Sequence, residues 1–227
     1  MPKVEFLKFD PEWMKYEGVV PSVKVLPDWY KSLGKYKEDS AGLKACSPFF
    51  DALTAGYMML TPCDIEFYRN GNRTSVRILE EQFGHFVGER APEQIAPFPE
   101  VHGHSLYHFD WWPLWGERLP QGFSGMYVHP LNRYDLPFIT TNGIVDNDRF
   151  HVPGRFPFFL REGFTGVLPK GTPFIQFIPF ERTDWSLEVT QLSDAEGKAM
   201  TDAAYEEYRQ VGHSGYRKNK WVPKHYA

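Results

Sequence analysis

The sequence predicts a mainly-β fold: a β-clip or double-sheet (sandwich- or barrel-like) core, short helices near the N-terminus and one C-terminal helix. Three observations carry this expectation. Aromatic residues make up 17% of the 227-residue chain, and aromatics favour pleated, half-buried surfaces. Pro and Gly number 19 each, which supplies turn chemistry throughout. Short apolar or alternating runs recur between those turns, whereas sustained helical spacing appears only near the C-terminus.

In chain order, "VEFLKF" (4–9) alternates as a strand does, and "PDWYKSL" (27–33) suits a short helix entered through Pro27 or capped by Asp28. "SPFFDALTAGY" (47–57) reads as a helical turn that stops near Gly56. Asn70-Gly71, between "DIEFY" and "TSVRILE", is the clearest hairpin signal. Three prolines in "APEQIAPFPEVHG" (91–103) predict an irregular loop. Strands are expected at 123–131, 136–146 and 155–162. "TPFIQFIPF" (172–180), apolar on both faces, is expected as a buried central strand. In "DWSLEVTQL" the alternation of Trp185, Leu187 and Val189 with Ser186, Glu188 and Thr190 predicts a half-buried strand. The spacing of Met200, Ala203, Ala204, Tyr208 and Val211 predicts a helix over 193–212, capped by Ser193 or Asp194 and ended by Gly212. A basic, aromatic tail follows (213–227), whose Trp and Tyr are expected to pack while its lysines stay in water. Residues 1–227 are expected to form one domain, with a β core over about 1–192.

Composition narrows the function classes. A net charge of -4 gives no field that would attract nucleic acid or an anionic membrane. No apolar run has the length of a membrane span, and the opening residues lack a signal-peptide core. Two cysteines, Cys46 and Cys63, are no disulfide framework; a reducing cytoplasm is the expected setting, and Cys46 is expected to be buried and inert. There is no Walker loop and no G-x-G-x-x-G.

Two constellations can carry chemistry. "EVHGHSLYHFD" holds His102, His104, His108 and Asp110. Residues two apart in an extended segment share a face, so His102 with His104, or His108 with Asp110, can share a divalent metal such as iron or zinc. A distal His129 or His151 would complete the facial triad of a non-haem iron (2-oxoglutarate-type) oxygenase, with Arg155 or Arg161 taking a cosubstrate carboxylate. Against this stands the plain reading of hydrogen-bonded loop histidines beside the aromatic "WWPLW". The second constellation is "NGIVDNDRFH" (142–151), with Asp146, Asp148 and His151 as candidate catalytic residues. Asn-Gly and Asp-Asn-Asp are equally turn chemistry. Gln176, inside an apolar strand, requires a buried partner.

The order Gly143-Ile144-Val145-Asp146-x-Asp148, followed by Lys170-Gly171 and Gln176, resembles the later part of the dUTPase and dCTP deaminase family. The resemblance spans about 40 residues and implies a β-clip hairpin in which Asp146 orients water. Arg149 stands where that family stacks an aromatic on the sugar, and the family's Arg-Ser-Ser and glycine-rich closing motifs are missing. Along most of its length the chain resembles the DUF6065-type proteins of bacteria and their phages. The landmarks are "PDWYKSL", "LKACSPFFDALTAGYMMLTPCDIEF", "HPLNRYDLPFITTNGIVDNDRFH", "FPFFL", "LPKGTPFIQFIPF" and "YRKNKWVPK". That resemblance implies an intact unit and no catalytic residue.

The functional expectation is a protein that binds a small molecule or peptide, with enzymatic activity left open. Its pocket is expected between loop 97–112 and hairpin 142–151. Arg133, Asp135, Asp146, Asp148 and His151 would supply polar contacts, and Tyr107, Trp111 and Trp112 apolar walls. The rivals are the oxygenase, using His108, Asp110 and a distal His, and a structural protein that docks a partner or a second copy of itself through exposed aromatics.

Overall fold

A computed structural model describes residues 2–9, 16, 18–37, 40–211 and 215–227. The fold is mainly β, 33% strand against 22% helix. The strands are β1 (Glu5–Lys8), β2 (Val19–Pro21), β3 (Tyr36–Lys37), β4 (Ser40–Ala41), β5 (Tyr57–Leu60), β6 (Ile65–Asn70), β7 (Arg73–Ile78) and β8 (Val87–Arg90). They continue with β9 (His104–Trp111), β10 (Trp115–Arg118), β11 (Phe123–Val128), β12 (Phe138–Thr140), β13 (Gly143–Val145), β14 (Phe156–Arg161), β15 (Gly166–Leu168) and β16 (Pro173–Glu181). The helices are α1 (Asp28–Ser32), α2 (Ser47–Thr54), α3 (Asp194–Val211) and α4 (Gly215–Asn219). The chain divides into two compact units, one of residues 1–25 and 54–182 with Tyr226, the other of residues 26–53 and 183–225 with Ala227.

The first unit is built on two larger sheets, ordered β13-β11-β16-β5-β2 and β12-β14-β9-β8, and a smaller one, β15-β6-β7. Among the described residues the sheets do not close into a barrel. The inner faces meet in an aromatic core. Trp111 of β9 stacks on Phe158 of β14 with ring centroids 3.8 Å apart, and lies 5.1 Å from Phe174 of β16. Such pairs add about 0.5–1.5 kcal/mol each beyond burial. The Trp111 indole N–H donates to Thr140 Oγ1 at 3.0 Å, and that hydroxyl donates to the Phe174 carbonyl at 2.8 Å, tying one sheet to the other. β16 is the central strand of its sheet, as its continuous apolar run requires. Its Gln176 finds the buried partners it needs: Oε1 accepts from Leu131 N–H at 2.8 Å and Nε2 donates to the Ala55 carbonyl at 2.7 Å. The two-residue turn Gly71-Asn72, one position on from the Asn70-Gly71 pair, joins β6 to β7, with Gly71 at φ 61°, a conformation that favours glycine.

In the second unit, α1 and α2 share a ring cluster in which Tyr30 stacks on Phe49 and Phe50. Trp221 of the tail packs edge-on against Phe50 and donates to Asp51 at 2.9 Å. α3 opens with a capping box: Ser193 Oγ accepts from Glu196 N–H, and Glu196 Oε2 accepts from Ser193 N–H. Gly212, expected to end it, lies outside the described residues.

Three expectations are corrected. Residues 184–192 form no strand, and Trp185, Leu187 and Val189 stand exposed. Alternation supplies a strand's faces, but a strand forms only where a neighbour accepts its ladder. The expected C-terminal helix is present as α3; its Met200, Ala203 and Ala204 are exposed, so it rests on its cap and on pairs such as Lys198–Asp202 rather than on a packed stripe there. The run 136–146 is two strands, β12 and β13, which join different sheets. Cys46 is exposed; Cys63 is the buried one, and burial pushes its thiol up to about 11.

Candidate functional site

β13 pairs with β11, whereas β14 pairs with β12 and β9, so "NGIVDNDRFH" is an edge strand and a turn rather than half of a hairpin with the next strand. Its two aspartates turn to one cation. Arg182, just past β16, donates from Nη1 to Asp146 Oδ1 at 3.0 Å and to Asp148 Oδ1 at 2.9 Å, and from Nη2 to Asp148 Oδ2. Ser124 Oγ donates to Asp146 at 2.7 Å and Gly122 N–H to Asp148 at 2.9 Å. The Arg182 guanidinium and the Gly122 amide hold the Asp148 carboxyl well below the usual carboxylate range. A carboxylate so committed is a clamp and a poor base.

Below that turn lies a buried polar group that the motifs did not single out. Glu117 of β10 is 2% exposed. Its Oε2 accepts from Tyr127 Oη at 2.6 Å, and that hydroxyl accepts from Asn147 Nδ2 at 2.9 Å. Burial pushes the Glu117 carboxyl up to about 8. Glu117 Oε1, Asn147 Oδ1 and His151 Nδ1 are buried without a hydrogen-bond partner. The signal in the sequence was a lone acid in "WWPLWGERLP", flanked by aromatics.

The other predicted residues scatter. Arg133 and Asp135 pair with each other. Trp111 is core rather than pocket wall. The Trp112 ring carries the Arg155 guanidinium 3.3 Å from its centroid, and Arg161 donates to the Leu136 carbonyl. His102 sits in the turn before β9, so the alternation expected of His102 and His104 does not apply; its carbonyl meets His104 Nδ1 at 2.9 Å. His129 Nδ1 accepts from Thr140 N–H, and its Nε2 faces the Arg133 carbonyl.

His108 and Asp110 do share a face of β9. His108 is 3% and Asp110 2% exposed. Asp110 Oδ2 accepts both Nε and Nη2 of Arg90, from the neighbouring strand β8. Burial first, then the Arg90 charge, lowers the affinity of His108 for a proton, so its ring is neutral at pH 7. Among the described residues no three His, Cys, Asp or Glu side chains come together as a metal site. The Asp110 partner is a guanidinium, a donor set that does not fit a facial triad.

What the arrangement offers instead is a cleft of about 330 Å³ between β7, β8, the turn after β8, and β9. Arg73, Glu89, Arg90, Glu93, Tyr107 and His108 line it. Behind it, His108 Nδ1, Asp110 Oδ1 and Trp112 Nε1 are buried without hydrogen-bond partners. Gly88 makes room for this: a Cβ there would overlap Asp110 Oδ1 and press on Trp112 Nε1. Tyr107 and His108 come from the predicted loop, but no residue of 142–151 lines the cleft. Arg90 and Gly88 carry no sequence signal of their own, since strand pairing alone brings them to His108 and Asp110. No protein-family model matches the chain, and no curated protein matches it.

Proposed function

We propose that this protein binds a small molecule or short peptide in the cleft between β7, β8 and β9, and that the ligand carries both an acidic and a basic group. The carrying observation is the buried His108–Asp110–Arg90 group at the cleft, with polar atoms on His108 and Asp110 left unpaired. Buried polar atoms are nearly always satisfied, so unpaired ones beside a cleft call for water or a ligand. The lining supplies the charge pattern: Arg73 and Arg90 suit a carboxylate, Glu89 and Glu93 an ammonium group. Arg73 lies over the Tyr107 ring, 5.7 Å from its centroid, which makes one wall flat and cationic.

Calorimetric titration with a panel of free amino acids and dipeptides tests this. The expected result is saturable binding by at least one zwitterion, weakened about tenfold in Arg73→Ala and Tyr107→Ala. Both residues are exposed, so these variants keep the fold. A panel without a binder, or affinities unchanged in both variants, would refute the proposal.

A further inference from the structure

The geometry points to a second ligand site, in the unit formed by residues 26–53 and 183–225, for a small phosphorylated molecule with a planar ring, such as a mononucleotide. There a cleft of about 240 Å³ has Tyr30 and Phe50 among its apolar walls, with Lys31, Lys35, Lys44 and Arg217 around it. Four cations and no acid line it. Of the nearby acids among the described residues, Asp28 pairs with the cleft's own Lys31, whereas Asp51 is committed to Lys224 and Trp221, and Glu207 to Lys220 and Asn219. Among the described residues no carboxylate pairs with Lys35, Lys44 or Arg217. Like charges gathered round one cleft repel unless an anion joins them.

Two of these cations are held in place. Lys44 reaches back to donate to the Lys31 carbonyl. Arg217, on α4, lies over the Trp221 ring, 5.3 Å from its centroid, and Trp221 is itself pinned to Asp51. Tyr30, 4% exposed, stacks on Phe49 and Phe50 and forms a rigid floor. A guanidinium and ammonium groups suit a phosphate; aromatic walls suit a flat ring beside it. The cleft is smaller than a drug-sized pocket, which limits the ligand to about one base, one sugar and one phosphate group. This site is separate from the cleft at β8 and β9 and shares no residue with it.

Calorimetry with AMP, inorganic phosphate and adenosine as probes tests the assignment on the full chain. AMP should bind saturably and at least about tenfold more tightly than either fragment, and its affinity should fall with added salt. Lys35→Glu and Arg217→Glu, both at exposed positions, should each weaken AMP by about tenfold or more, with circular dichroism showing an unchanged fold. If a charge reversal disturbs the fold, Lys35→Gln and Arg217→Gln are read instead, with a smaller loss in the same direction. No saturable AMP binding, AMP no tighter than phosphate, or affinity untouched by the substitutions at Lys35 and Arg217 would each overturn the assignment.

Discussion

Glu117 provides the sharpest energetic prediction. Its carboxyl stays protonated in the folded chain up to about pH 8, while its ordinary value is 4.5. Between those two values the folded state holds a proton that the unfolded chain has released. Stability therefore falls as pH rises, by about 1.4 kcal/mol per pH unit. The loss starts near pH 4.5, reaches about 3 kcal/mol at pH 7, and levels off at about 5 kcal/mol above pH 8. Glu117→Gln keeps the shape and the acceptor for Tyr127 and removes the ionisation. Its added amide N–H lies in the same buried group as the unpaired Asn147 Oδ1. The variant should match the parent near pH 4 and exceed its stability progressively from pH 5 to 8. Urea unfolding at pH 4.5, 7 and 8.5 reads the difference directly. A stability difference that is the same at all three pH values would refute the reasoning, because it would place the effect in packing rather than in ionisation.

Other consequences follow from the same geometry. Thr140→Val strands the Trp111 N–H and the Phe174 carbonyl inside the core, and should cost about 1–3 kcal/mol in chemical denaturation; an unchanged midpoint would mean the hydroxyl does not join the sheets. Asp148→Asn removes the carboxylate that Arg182 and Gly122 share. Because that group is held low, its contribution is present above its ordinary value of 3.8 and lost as pH falls below it. The variant should thus be less stable than the parent at pH 7 and nearly equal to it at the acid end, as thermal melts across pH will read. Gly88→Ala should displace Asp110 from Arg90, lower stability by about 1–3 kcal/mol and weaken ligand binding in the β8–β9 cleft, whereas Gly122→Ala, with open space at its Cβ but φ 86°, should disturb stability alone.

The readings that held rested on local chemistry. Asn70-Gly71 announces its own turn, and the unbroken apolar run around Gln176 fits only a strand covered on both faces. Partnership at long range was not legible. Asp146 and Asp148 looked like free acids because Arg182, their shared partner, lies more than thirty residues further on. His108 and Asp110 looked like metal ligands because the chain gives no hint that Arg90 stands beside them across a strand pair. Residues 184–192 carry a strand's alternation, yet alternation cannot say whether a neighbouring edge is there to receive it. Glu117 was hidden for a related reason: a single acid among aromatics becomes informative only once its burial is known.

The most direct test of the account is a ligand titration followed by NMR. It separates the His108–Asp110 cleft from the Asp146–Asp148 clamp as the place where ligand binds. On adding the tightest amino acid or dipeptide, the Trp112 indole N–H and the His108 ring resonances should shift, while the Gly122 amide, held by Asp148, should stay still. Movement of Gly122 with Trp112 and His108 unchanged would contradict the account and return the function to the acid turn.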